Sequence, residues 1–218
     1  MNSNDHNQLV EVTIEKGSGR AFLFLVEDSK YLDIAKRCAE ALADKGRAIV
    51  LKVVKINGSI IDQLSDQILK KLSELKVRQA SYVGFGAASS LVQSVALMDL
   101  KMVRTMVLVD ATTRPHPSML LRWIDKIERS LPLGLPWRLD NDGFDSKPFL
   151  HRLRCPVLVC CTSVASDFEK AESELLEHGL PTAWRVDLSP GKEGDELGDL
   201  CAKFYDVPAK CPQKGVNL

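Results

Sequence analysis

The sequence predicts an α/β protein with a mostly parallel sheet covered by helices on both faces. Three observations carry this. Strand-like and helix-like segments alternate over the first 110 residues and again from Cys155 onward. Several strand-like runs are apolar at every position rather than at every second one, which marks strands buried on both faces. The helix-like runs repeat apolar residues at three- and four-residue steps.

The elements follow in order. LVEVTIE (9–15) alternates apolar and polar residues, the pattern of a half-exposed strand, and GRAFLFLVED (19–28) reads as a strand covered on both faces. YLDIAKRCAEALADKG (31–46) places Leu32, Ala35, Cys38, Ala39 and Leu42 at helical spacing and stops at Gly46, a C-terminal signal. RAIVLKVVKI (47–56) is a strand, followed by a turn at Asn57 and Gly58. Ser59 is expected to cap a helix in which Ile60, Ile61, Leu64, Ile68, Leu72 and Leu75 recur at helical steps. ASYVGFG (80–86) is a strand and its exit, AASSLVQSVALMDLK (87–101) a helix, and MVRTMVLVD (102–110) another buried strand.

The alternation breaks after Asp110. ATTRPHP (111–117) is a proline-bounded loop, SMLLRWIDKIERSL (118–131) an amphipathic helix, and PLGLPWRLDNDGFDSKP (132–148) is too rich in Pro, Gly and Asp to be regular. Residues 112–148 therefore read as an excursion from the sheet. CPVLVCC (155–161), SDFEKAESELLEHG (166–179), TAWRVDL (182–188) and DELGDLCAKFY (195–205) then give strand, helix, strand and helix.

A chain of 218 residues, 45% hydrophobic and 27% charged, can bury one substantial core, and one domain over 1–218 is expected. Lys+Arg and Asp+Glu are equal at 29 each, so the net charge is zero and no footprint for nucleic acid or an acidic membrane surface is left. No apolar run approaches the roughly 18 residues of a spanning helix, and MNSNDHNQLV has neither the basic nor the apolar region of a signal peptide, so a cytoplasmic protein is expected. The six cysteines (Cys38, Cys155, Cys160, Cys161, Cys201, Cys211) lack C-x-x-C spacing, which predicts reduced packing residues rather than a metal cluster.

The stretch YVGFGAASSL (82–91) carries the functional question. GFGAAS fits the dinucleotide fingerprint G-x-G-x-x-[GA] except at Ser89, and the next strand closes on Asp110, where an acid would hold ribose hydroxyls. Against an NAD(P)-binding protein, that fingerprint ordinarily opens its domain at the first strand and helix, whereas here about 80 residues of sheet precede it. A nucleophile elbow, G-x-S-x-G, also joins a strand to a helix through small residues. Here the window is Gly84, Phe85, Gly86, Ala87, Ala88, with small flanks and no serine.

With these residues in view, the chain resembles the α/β-hydrolase superfamily along almost its whole length. The opening strands, the elbow, TMVLVDAT, the cap-like insertion and FLHRLRCPVLV occur in that family's order. The resemblance implies a three-layer sandwich, a mostly parallel sheet of seven or eight strands and a short helical cap over 112–148. It also implies where a Ser-His-Asp triad should stand. The serine slot is Gly86, the acid slot falls near Ala165 with Asp167 two residues on and Asp110 as another position, and the histidine slot in SPGKEGDEL falls near Gly194. No histidine follows His178; His6, His116 and His151 are the others. The His-Gly that commonly supplies an oxyanion donor is replaced by Val26, Glu27 and Asp28, whose carboxylates oppose developing negative charge.

The resulting expectation is a degenerate member with no catalytic residues, no metal and no cofactor. It retains a ligand cavity lined by Glu27, Asp28, Phe85, Gly86, Ala87, Thr112 and His116. A small molecule is one expected partner. A protein docking on the cap helix through Leu120, Leu121, Ile124 and Ile127 is another, although that stripe also suits the core. Two alternatives stay open: an ester or thioester hydrolase using Asp110, His116 or Asp167, and the NAD(P)-binding protein.

Overall fold

The computed structural model describes residues 9–56, 59–115, 127 and 144–207. Its strands are β1 (Val10–Lys16), β2 (Ala21–Val26), β3 (Arg47–Val53), β4 (Ala80–Phe85), β5 (Val103–Val109), β6 (Val157–Cys161) and β7 (Ala183–Asp187). The α-helices among the described residues are α1 (Ser29–Leu42), α2 (Ile61–Glu74), α3 (Ala88–Met98), α4 (Asp167–Gly179) and α5 (Glu193–Tyr205). The strands form one seven-stranded sheet in the order β1-β3-β2-β4-β5-β6-β7. β1 runs antiparallel to β3, and every other pairing is parallel. The alternation read from the sequence is thus the alternation of the fold, a mostly parallel three-layer α/β sandwich.

The two helical layers explain the unbroken apolar strands. In β2, Leu23 and Leu25 face a core shared with Leu64, Ile68 and Leu72 of α2 and with Leu91, Val92 and Val95 of α3. Phe22, Phe24 and Val26 face the opposite core, with Ala35, Cys38 and Leu42 of α1 and Leu197, Cys201 and Phe204 of α5. Successive strand residues point to opposite faces, so a strand sandwiched between two layers needs apolar residues at every position.

Local details correct three expectations. Helix α2 starts at Ile61 with Ile60 at its N-cap and no side-chain cap bond, so Ser59 is not its cap. Helix α1 is capped by Asp28, which accepts from Lys30 N, and it ends at Leu42, short of Gly46. A Cβ at Gly46 would lie 2.6 Å from Arg20 O, so that glycine serves a close backbone approach rather than a helix stop. Helix α5 starts two residues earlier than expected, at Glu193.

Most of the expected cap over 112–148, with His116 and the apolar stripe except Ile127, lies outside the described residues. The two ends of that excursion are tied together. Ser146 N donates to Thr113 O at 3.0 Å, and Arg114 pairs with Asp145 at 2.6 Å. The buried Glu172 carboxylate accepts from Thr113 N and Oγ1 at 3.1 and 2.8 Å, fastening the same loop to α4.

Candidate functional site

From β2 the chain turns toward β3 on one side, and α2 then carries it back across to β4 on the other side. Such a reversal opens a crevice outside the carboxyl ends of the two central strands. A cleft of about 190 Å³ is found there, lined by Glu27, Asp28, Lys30, Tyr31, Phe85, Gly86, Ala87, Thr112, Phe168 and Glu169. Six of the seven residues expected from sequence therefore meet around one cavity, and the seventh, His116, lies outside the described residues.

The turn beneath the cleft is tightly specified. Gly86 has φ +53°, the left-handed region that glycine enters without penalty. A Cβ at Gly84 would stand 2.7 Å from Ser89 Cα and 2.8 Å from Val92 Cγ2, so a side chain there would push α3 off the strand. Ser89 Oγ donates to Gly86 O at 2.6 Å and accepts from Thr112 N at 3.2 Å. Ser90 Oγ donates to Thr112 O at 3.1 Å, and Gln93 Nε2 donates to both Ser89 O and Thr112 O. Both serines are buried and committed to holding the turn, which removes them as nucleophiles.

The direction a side chain at position 86 would take is blocked. A Cβ there would lie 2.9 Å from Tyr31 Cε2. Tyr31 is 2% exposed, packs its ring on Phe85 at 5.7 Å, and donates its hydroxyl to Asp110 Oδ2 at 3.0 Å. Asp110 follows β5 at φ +47° and is 0% exposed. Its Oδ1 accepts from Thr162 N at 2.8 Å and its Oδ2 also accepts from Thr162 Oγ1 at 2.6 Å, which links β5, β6 and α1 at one buried carboxylate. Burial pushes the Asp110 carboxyl above its ordinary range, opposed by the Thr162 and Tyr31 hydrogen bonds. Burial likewise pushes the Tyr31 phenol up, with the Asp110 charge adding to it. The tyrosine is a proton donor held neutral, not a nucleophile.

The other candidate positions do not join the cleft. Ala165 is buried, and Asp167 is exposed in the first turn of α4, where its charge suits the helix dipole. Gly194 sits inside α5, and a Cβ there would meet Arg37 Cβ at 2.8 Å and Ile34 O at 3.3 Å. The expected histidine slot is therefore a helix-packing position. His151 is exposed in a 3₁₀ turn (Lys147–Arg152), and His178 ends α4 with Nδ1 2.7 Å from Glu174 O. No histidine, serine or cysteine is among the described residues that line the cleft. The five described cysteines are buried and unpaired by disulfides, and burial pushes the Cys160 and Cys161 thiols up, away from thiolate.

No family model and no curated protein matches this chain. Solved structures do. An enol-lactonase from Burkholderia xenovorans LB400 aligns with a TM-score of 0.66 at 14% identity, covering 91% of this chain and 96% of the lactonase. The chain has the α/β-hydrolase fold. A meta-cleavage product hydrolase from Pseudomonas fluorescens IP01 (TM-score 0.67, 17% identity, 90% and 94% covered) supports the same conclusion. So does a thermophilic esterase from Thermogutta terrifontis (0.66, 14%, 90% and 94%). The cleft lies at the β4–α3 corner, at Gly86.

Sequence reasoning missed Lys30, Tyr31, Phe168 and Glu169. The signal was positional: each stands in the first turn of a helix that follows a parallel strand, facing the same crevice as Gly86.

Proposed function

We propose that this protein is a non-catalytic member of its fold class that binds a small molecule in the cleft over Gly86. One observation carries the reading: the place where an elbow side chain would project is occupied by the Tyr31 ring, anchored to buried Asp110. Loss of a serine nucleophile or its base lowers turnover on the order of a millionfold. Here the serine position is filled by a neighbour, the histidine position packs a helix, and Glu27 and Asp28 flank the oxyanion side. The described cysteines are buried and free, which agrees with a reducing, cytoplasmic setting. The enol-lactonase and esterase activities named for the similar structures are those proteins' own.

The hydrolase alternative is tested by a fluorophosphonate probe and a panel of short acyl esters and thioesters. The expected result is no labelling and no turnover above buffer. Turnover abolished by changing Asp110, His116 or Asp167 would establish an unconventional hydrolase instead. The dinucleotide reading is disfavoured by geometry, since Asp110 is spent on Thr162 and Tyr31 in the interior. Apart from Ile127, the cap-helix stripe expected to dock a protein lies outside the described residues.

A further inference from the structure

The buried residues of α3 are alanine, serine, leucine and valine, with one long polar side chain among them, Gln93. A carboxamide in such a place costs free energy unless both of its ends are bonded. Here both are. Its Nε2 donates to Ser89 O and to Thr112 O, each at 3.1 Å, which uses both amide hydrogens. Its Oε1 accepts from Ser146 Oγ at 2.5 Å. One side chain thus joins the first turn of α3, the cleft-lining Thr112, and Ser146 at the return end of the 112–148 excursion. A second route between the two ends runs beside it, because Ser146 N and Oγ also donate to Thr113 O at 3.0 and 3.2 Å. Gln93, Thr112, Thr113 and Ser146 are all buried, whereas the Arg114–Asp145 pair at the same neck is partly exposed. A buried hydrogen bond leaves its partner unsatisfied when broken, and a partly exposed ion pair is replaced by water. The interior bonds, rather than the ion pair, therefore hold the neck to the cleft.

We propose that Gln93 is a positioning residue that makes the cleft wall at Thr112 and the excursion's return at Ser146 one cooperative unit, so that loosening either loosens the other. Such a unit opens as a whole and with its own free energy, below that of global unfolding. The coupling goes beyond the binding reading and does not depend on what occupies the cleft. It gives an event at the cleft wall a route to the neck, and an event at the neck the same route back.

The test is native-state amide hydrogen exchange of the full chain, followed residue by residue by NMR. The reporters are Thr112 N–H, which donates to Ser89 Oγ, and Ser146 N–H, which donates to Thr113 O. The amides of β5 report global opening. Ser146→Ala should speed exchange at Thr112 by roughly tenfold more than in β5, the size of effect that a lost buried hydrogen bond supplies. Gln93→Met, which keeps side-chain length and helix propensity, should speed both reporters over β5. In the Gln93→Met background, Ser146→Ala should add little at Thr112, because the link between them is already gone. Arg114→Met should move Thr112 far less than Ser146→Ala does. Circular dichroism of each variant checks the fold. If Ser146→Ala acts on Thr112 equally with and without Gln93, the coupling runs through Thr113 and the role of Gln93 is overturned. Exchange at the two reporters that rises no more than in β5 would reduce Gln93 to general stability and overturn it as well. Should Gln93→Met not fold, Ser146→Ala alone decides: an excess at Thr112 supports the unit, and no excess sinks it.

Discussion

A side chain at position 86 meets two obstacles: a backbone at φ +53°, and the Tyr31 ring 2.9 Å from its Cβ. Gly86→Ser should therefore cost stability, about 1–3 kcal/mol from strain and overpacking together, and produce no esterase. Urea denaturation checks the magnitude. In a Tyr31→Ala background the same substitution should cost less, because the ring that it strikes is gone, and the difference measures the contact. Equal costs in the two backgrounds would show that the tyrosine does not fill the slot. Gly86 was legible in the sequence as the position where the resemblance implies a serine. Its filling by Tyr31, 55 positions earlier in the chain, was not, because nothing in local spacing tells which helix end folds over a given turn.

Among the elements, α5 packs closely on α1 at the position where the resemblance implied a histidine. Gly194 and Gly198, one turn apart, let the two helices approach: Cβ atoms there would lie 2.8 Å from Arg37 Cβ and 2.9 Å from Ala41 Cβ. The sequence flagged Gly194 for the absence of histidine, and the tertiary structure gives it a packing role. Gly194→His should accordingly lower stability by about 1–3 kcal/mol, despite the better helix propensity of a non-glycine residue, and should add no turnover. A thermal melt and the ester panel read the two outcomes. An unchanged melting temperature would mean that α5 can move aside, and the packing account would fail. Element identities were largely legible, because buried strands and amphipathic helices write distinct periodicities. Element ends were less so: the Ser59 cap and the Gly46 stop failed because Ile60 and the Arg20 carbonyl, respectively, decide what happens at those positions.

For the whole molecule, stability against pH sums groups that pull in opposite directions. Glu40 and Asp199 are drawn below the ordinary carboxylate range, chiefly by hydrogen bonds from Lys16 and Lys45, so whatever they contribute is present at neutral pH and lost as pH falls. Asp110 runs the other way. Its folded value is raised, so between the ordinary value near 3.8 and that raised value the folded state holds the extra proton, and stability falls as pH rises through the window. Asp110→Asn removes the titration yet leaves an oxygen for Thr162 N–H and an amide able to donate to the hydroxyls. Subtracting the stability of the variant from that of the natural chain at each pH should leave a difference that declines as pH rises above about 4. A difference that climbs instead would show that hydrogen bonding outweighs burial at this carboxyl. Chemical denaturation across pH provides the measurement.

The sequence by itself determined the layered architecture, the order of strands and helices, the glycine at position 86 and the absence of any histidine beyond His178. Those properties are carried by periodicity and by residue identity, which a chain displays without folding. Only the tertiary structure decided that Tyr31 stands over Gly86, that Asp110 is spent in the interior, and that Lys30 and Glu169 complete the cleft. The physical reason is that these contacts join residues tens to more than a hundred positions apart, brought together where parallel strands release their helices at one end of the sheet.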